Sequence, residues 1–229
     1  MKSLYCSSLD TVVDLIPKCG YSTFGGFILV LDDPSASDFV FEGKRNIVSR
    51  DHASKYSKIE NKKLNDGRLL INKKPRITIV RNPYARILSG FSNKKHKVSG
   101  MKNNENRSYE EFNLLLDKIQ IHNNNNHFIC QTDQLFKLQE YKKIFCLESY
   151  IDFYDFVGTY NFNERQSELV KKYSSQNIIH NVTNSVEKYS DYLNEKTCAK
   201  ILNIYHKDFE ILGYSKDKKD ISLPPQCKK

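Results

Sequence analysis

The sequence has no apolar run long enough to cross a bilayer. The longest purely apolar stretch, Phe27–Leu31, falls far short of the roughly 20 residues a membrane helix needs. Residues 1–10 lack the apolar core of a secretory signal. The six cysteines, Cys6, Cys19, Cys130, Cys146, Cys198 and Cys227, form no C-x-x-C pair, which argues against a zinc site. Their wide spacing suits free thiols in a reducing compartment, with a Cys130–Cys146 bridge as the alternative. Two further absences bear on nucleotide chemistry. The loop G-x-x-x-x-G-K-[ST] is missing, and Asp14 lies inside an apolar strand rather than after one, where it would hold a metal. A nucleotide kinase-like P-loop protein is therefore disfavoured. There is no internal repeat and no carboxylate cluster suited to a metal ion. Tryptophan is absent, but 14 Tyr and 13 Phe in 229 residues supply enough apolar bulk for one sizeable α/β core.

Basic charge is plentiful. A formal charge of +9 points to acidic partners such as a polyanionic nucleotide, an anionic glycan, a membrane surface or nucleic acid. The plainer explanation is a solvated surface in a Lys- and Asn-rich chain. A non-catalytic basic module is the competing function class, because charge alone would satisfy it.

Spacing separates these readings. Val12-Val13-Asp14-Leu15-Ile16 is a short, β-branched, apolar run that suits a buried parallel strand, and Pro17 stops it. Lys18, Cys19, Gly20, Tyr21, Ser22 and Thr23 follow, and then an apolar stretch to Leu31 that reads as a helix. A strand, a polar loop and a helix N-terminus make an anion site, since backbone N–H groups and the helix dipole converge there. Ser22 and Thr23 are expected to cap the helix and donate to a phosphate oxygen. A second strand pattern, Arg76–Val80, runs into Arg81-Asn82-Pro83-Tyr84-Ala85-Arg86-Ile87-Leu88-Ser89. Pro83 suits a first helical position. Ser89, two turns on, falls on a face where it and Arg81 can share one phosphate.

The loop Pro17-Lys18-Cys19-Gly20-Tyr21-Ser22-Thr23 resembles the 5'-phosphosulfate loop of sulfotransferases that use 3'-phosphoadenylyl sulfate (PAPS). The Arg81–Phe91 stretch is similar to their 3'-phosphate motif. His127-Phe128-x-x-Gln131-Thr132-Asp133, Tyr154–Gly158 and Tyr205-x-x-Asp208-Phe209-x-x-x-Gly213-Tyr214 resemble segments of the family 2 carbohydrate sulfotransferases. Phe128 stands where that family usually has Trp. Residues 92–126 match no segment of it, which leaves the acceptor open rather than the donor. The resemblance implies PAPS as sulfuryl donor, no metal, and a glycan hydroxyl as acceptor. The basic stretch Asn93–Arg107 suits an acidic glycan, and nucleic acid is not expected as a partner. It also implies either a cytoplasmic, bacterial-type enzyme or a Golgi enzyme whose anchor lies outside this chain.

The expected architecture is α/β, with a P-loop-like, open, mainly parallel sheet flanked by helices. One domain should span residues 1–215, followed by a loose, charged tail over 216–229. Further strands are expected at Asn46–Ser49 and Lys143–Leu147. A capping box at Ser108–Glu111 should open a helix that buries Phe112, Leu115, Leu116 and Ile119. A last helix should start after Asn194, bury Ala199, Leu202, Tyr205, Phe209 and Leu212, and stop at Gly213. Ligands bind beyond the carboxyl ends of such strands, which would group Lys18, His52 and Arg81. Lys18 is read as neutralising the leaving phosphate. Cys19 is a tolerated loop residue, and Arg81 with Ser89 is assigned to the 3'-phosphate. His52 is read as general base and His127 as positioning the acceptor, with the reverse as alternative. No sequence argument assigns Glu148.

Overall fold

The strand patterns fold as short, fully buried strands at the centre of a four-stranded sheet, ordered β1-β2-β3-β4. The strands are β1 (Lys2–Cys6), β2 (Thr11–Leu15), β3 (Arg76–Val80) and β4 (Tyr141–Cys146). The computed structural model describes residues 1–33, 73–92, 107–121, 125–175 and 184–225. The expected strand at Asn46–Ser49, His52 and most of the Asn93–Arg107 stretch lie outside these residues.

The sheet is mixed. β2 pairs with β3 in parallel, Val12 opposite Arg76 and Leu15 opposite Ile79, as expected. β1 pairs antiparallel with β2, Leu4 opposite Val13, which corrects the expectation that Val12 begins the first strand. The hairpin forms because Leu4 and Cys6 alternate into the core and Asp10 takes the left-handed φ of 46° that its turn needs.

Helices are numbered in chain order: α1 (Tyr21–Asp32), α2 (Pro83–Phe91), α3 (Tyr109–Ile121), α4 (Gln131–Gln134), α5 (Ile151–Gly158), α6 (Glu164–Ser175), α7 (Ser185–Tyr189), α8 (Glu195–Ile204) and α9 (His206–Leu212). Among the described residues no helix is long and apolar enough to cross a membrane. Contacts cluster the chain into two compact units. One holds Met1–Ile79, Phe136–Phe145 and Ser149–Asn181, and the other holds Val80–Leu135, Cys146–Glu148 and Val182–Lys229.

In the first unit α1 is buried along most of its length, anchored by rings from later helices. Phe24 meets Phe153 at 4.9 Å and Phe27 meets Tyr173 at 4.9 Å, both edge-to-face. At the far end of α1, the Asp32 carboxylate accepts from the N–H groups of Ser7 and Ser8, each at 2.8 Å, which ties the β1–β2 turn to the helix. Asp14 is fully buried in the sheet. Its carboxylate accepts from Arg76 Nε at 2.9 Å and Nη2 at 2.8 Å. It also accepts from Tyr141 Oη at 2.8 Å and from the Ser3 hydroxyl, so one buried anion takes donors from β1, β3 and β4. The Arg76 guanidinium lies 4.0 Å from the Phe136 ring centroid.

In the second unit both expected capping devices are present. Glu111 N–H donates to Ser108 Oγ at 3.2 Å, and Ser108 N–H to the Glu111 carboxylate at 2.9 Å. Asn194 caps α8 by accepting from Thr197 N–H at 3.1 Å. The expected single last helix is broken at Tyr205, whose φ of −111° leaves the helical range. Gly213 stops α9 at the left-handed φ of 76°. Ala199 is exposed, and the inner stripe is Thr197, Ile201, Tyr205, Asp208 and Phe209. The segment expected as a loose tail is held in part. The Lys216 carbonyl accepts from Tyr84 Oη at 2.9 Å, the Lys218 ammonium donates to the Leu193 carbonyl, and Lys218–Asp220 forms a 3-10 turn. Among the described residues no disulfide joins Cys6, Cys19, Cys130, Cys146 and Cys198, so the alternative Cys130–Cys146 bridge is not formed.

Candidate functional site

Lys18, Cys19, Gly20, Tyr21, Ser22 and Thr23 lie in the first unit, and Arg81, Ser89 and His127 in the second. His52 lies outside the described residues.

The first loop turns through two left-handed residues, Lys18 at φ 72° and Gly20 at φ 73°. Cys19 N–H donates back to the Ile16 carbonyl at 3.2 Å, and Cys19 itself is buried. Gly20 is the N-cap of α1. Ser22 and Thr23 therefore sit within the first helical turn, which corrects their expected capping role. The first helical bond runs from Phe24 N–H to the Gly20 carbonyl at 3.0 Å, so the amides of Tyr21, Ser22 and Thr23 lie ahead of the helical ladder. Gly20 has no side chain with which to cap this end, and the first turn carries no acid. A helix N-terminus of this kind is receptive to an anion, and Lys18 adds a cation beside it. Lys18, Gly20, Tyr21 and Ser22 keep partial solvent contact, whereas Thr23 is buried.

The second loop has the opposite character. Arg81 follows β3, Asn82 caps α2 through its side chain by accepting from Tyr84 N–H at 3.0 Å, and Pro83 is the first helical residue, with no N–H. The Asn82 N–H donates to Glu148 Oε1 at 2.8 Å. Tyr214 Oη donates to the other Glu148 oxygen at 3.0 Å. The amides at this helix start are thus taken by the protein's own groups. The Arg81 side chain is half-buried and Ser89 is 5% exposed. Burial pushes the Glu148 carboxyl above the ordinary carboxylate range, opposed by the Asn82 N–H, Tyr214 and the Arg81 charge.

Arg81 is also gripped through its backbone. Gln131 Oε1 accepts from Arg81 N–H at 2.8 Å, and Gln131 Nε2 donates to the Arg81 carbonyl at 2.8 Å. Gln131 is fully buried and is itself held by Asp208, also fully buried. Asp208 accepts from Gln131 N–H at 2.9 Å, from Thr132 N–H at 2.9 Å and from Thr132 Oγ1 at 2.9 Å. Sequence reasoning noted the Gln131-Thr132-Asp133 and Asp208-Phe209 segments only as resemblances. A buried, neutral Gln gives no local signal of what it holds.

His127 is half-buried in a tight turn, its N–H donating to Asn125 Oδ1 at 3.0 Å. The buried Arg86 pins the same turn through the Ile129 carbonyl at 2.8 Å and the Asn126 carbonyl at 3.3 Å. Phe128 packs onto α2 at Gly90, where a Cβ would stand 2.5 Å from its ring. The motif arginine Arg86 thus organises the turn carrying His127, a role not read from the sequence.

A family model described as "Sulfotransferase family" matches residues 11–215. No curated protein and no solved structure matches the chain. The match covers nearly all of the chain and includes both loops and the His127–Asp133 and Asp208–Tyr214 segments. The chain therefore belongs to the sulfotransferase family.

Proposed function

We propose that this sulfotransferase moves a sulfuryl group from PAPS to a glycan hydroxyl. The observation that carries the donor is the contrast between two helix starts. At α1, a glycine-started, acid-free N-terminus follows Lys18, which suits a phosphosulfate held by backbone N–H groups. At α2, the amides are occupied by Glu148 and Asn82, and Arg81 with Ser89 remains for a second phosphate. A donor with both a 5'-phosphosulfate and a 3'-phosphate matches that pair of demands.

Lys18 is assigned to neutralise charge developing on the leaving phosphate, because an ammonium on a flexible stem can follow that charge. Cys19, Gly20, Tyr21, Ser22 and Thr23 form the loop that holds the 5' end. Arg81 and Ser89 bind the 3'-phosphate. His52 is assigned as the base that takes the acceptor's proton, and His127, on a turn fixed by Arg86, as the group that positions the acceptor. The glycan acceptor rests on the resemblance of the His127–Asp133 segment to the family 2 enzymes.

Transfer assays with PAPS and with adenosine 5'-phosphosulfate, which lacks the 3'-phosphate, test the donor. The expected advantage of PAPS is tens- to thousands-fold, from two charge-assisted hydrogen bonds at about 1.5–3 kcal/mol each. Equal use of both donors would sink the assignment. A panel of glycans set against a small phenol tests the acceptor, and transfer to the phenol alone would rule out a glycan.

A further inference from the structure

We infer that Gln131 is a positioning residue for Arg81 and that Asp208 acts through it. The inference rests on the assignment of Arg81 to the 3'-phosphate.

Arg81 is the first residue beyond β3, where strand pairing no longer holds the backbone. The Gln131 amide takes over that task. It supplies an acceptor to Arg81 N–H and a donor to Arg81 C=O, both at 2.8 Å, the pair of bonds a neighbouring strand would make. Two bonds to one residue fix its backbone direction and hence the origin of its side chain. The grip is rigid because Gln131 cannot turn away. Its backbone N–H is bound to Asp208 Oδ2 at 2.9 Å, and its Nε2 lies 3.3 Å from the same oxygen. The second Asp208 oxygen accepts both Thr132 donors. Gln131, 50 residues from Arg81, thus holds the arginine's backbone, and Asp208, 77 residues further on, holds Gln131. The Asn82–Glu148 bond holds the following residue as well. An arginine that must meet a phosphate with defined geometry gains specificity when its backbone is set beforehand.

The experiment compares affinities for adenosine 3',5'-bisphosphate and adenosine 5'-monophosphate by calorimetry. The proteins are the wild type, Gln131→Met, Arg81→Ala and the double variant, with thermal unfolding as the check on folding. Wild type should favour the bisphosphate by tens-fold or more. Gln131→Met should reduce that preference by about tenfold, a mid-range coupling for neighbours, and leave monophosphate binding within about twofold. In the Arg81→Ala background, Gln131→Met should change the preference no further. A folded Gln131→Met protein with the wild-type preference overturns the inference and leaves the Arg81 assignment standing. A wild-type protein without preference, or an Arg81→Ala protein that keeps it, overturns the assignment and the inference together. If Gln131→Met does not fold, Asp208→Asn decides. It keeps one acceptor oxygen and the side-chain size, and it should lower the preference several-fold; an unchanged preference overturns the inference.

Discussion

Lys18 holds a left-handed backbone, φ 72°, a conformation that costs a non-glycine residue about 1–2 kcal/mol. Local strain of this kind gathers at functional positions, and here it turns the chain from β2 into α1 at the residue assigned to the leaving phosphate. Two substitutions separate strain from chemistry. Lys18→Gly removes both the strain and the ammonium. It should leave stability unchanged or raise it by up to about 1 kcal/mol, since glycine's greater unfolded entropy offsets part of the relief. Turnover should fall sharply while bisphosphate binding weakens less, if Lys18 acts mainly in the transition state. Lys18→Ala keeps the strain and should match Lys18→Gly in turnover but not in melting temperature. A turnover close to wild type in either variant would leave Lys18 as an anchor only. Glu148 offers a test by titration. Its folded pKa is raised by burial, so the folded state binds the proton more tightly than the unfolded one. This stabilising effect is full below the ordinary carboxylate pKa and is lost as pH rises through the raised value. Glu148→Gln keeps an acceptor for Asn82 N–H and should flatten the fall in stability across that window. An unchanged pH profile would remove Glu148 as its source.

At the scale of elements, the β3–α2 junction was the most legible part of the chain. Ile77–Val80 is a plain strand, and Asn82 and Pro83 mark a helix start by local chemistry. The capping box at Ser108 and the cap at Asn194 were legible for the same reason, since a cap needs only its own first turn. What escaped was decided by distant partners. β1 carries one Lys and one Ser among five residues, so its period-two pattern is weak, and it is a strand because β2 lies beside it. The break at Tyr205 has no proline or glycine to announce it. The pairing of Asp14 with Arg76 was foreshadowed by a charge in each of two apolar strands, yet nothing local links positions 62 residues apart. Two element-scale predictions follow from packing. Gly90 lets Phe128 rest on α2, so Gly90→Ala should destabilise by about 1–3 kcal/mol through overpacking and raise acceptor KM by displacing the His127 turn. A stable variant with unchanged KM would show that the Phe128 contact does not govern that turn. Arg76→Met leaves the Asp14 charge buried without its ion partner and should cost about 3–5 kcal/mol. Adding Asp14→Leu should recover much of that loss, as read from denaturant unfolding.

For the molecule as a whole, the family was legible in the sequence, and the motifs proposed for the donor left a clearer trace than anything proposed for the acceptor, for a physical reason. Phosphate recognition can use short motifs in which loop, helix start and cation are neighbours in sequence, the role proposed for Pro17–Thr23 and Arg81–Ser89. The groups that hydrogen-bond around the second motif, Gln131 and Glu148, with Asp208 behind Gln131, have partners that lie far along the chain. Acceptor recognition leaves a weaker trace, a net charge of +9 and a basic stretch, Asn93–Arg107, that lies mostly outside the described residues. That charge still yields a test. If the acceptor is an acidic glycan, long-range attraction raises its encounter rate with the enzyme and should weaken as added salt shortens the screening length from about 30 Å at 0.01 M to about 8 Å at 0.15 M. kcat/KM for the glycan should then fall steeply over that range. Changing Lys94, Lys95 and Lys97 to Gln together should raise acceptor KM several-fold, flatten the salt dependence and leave bisphosphate affinity unchanged. A salt-insensitive wild type would remove the acidic acceptor. An unchanged KM in a salt-sensitive enzyme would move the steering charge to another part of the surface.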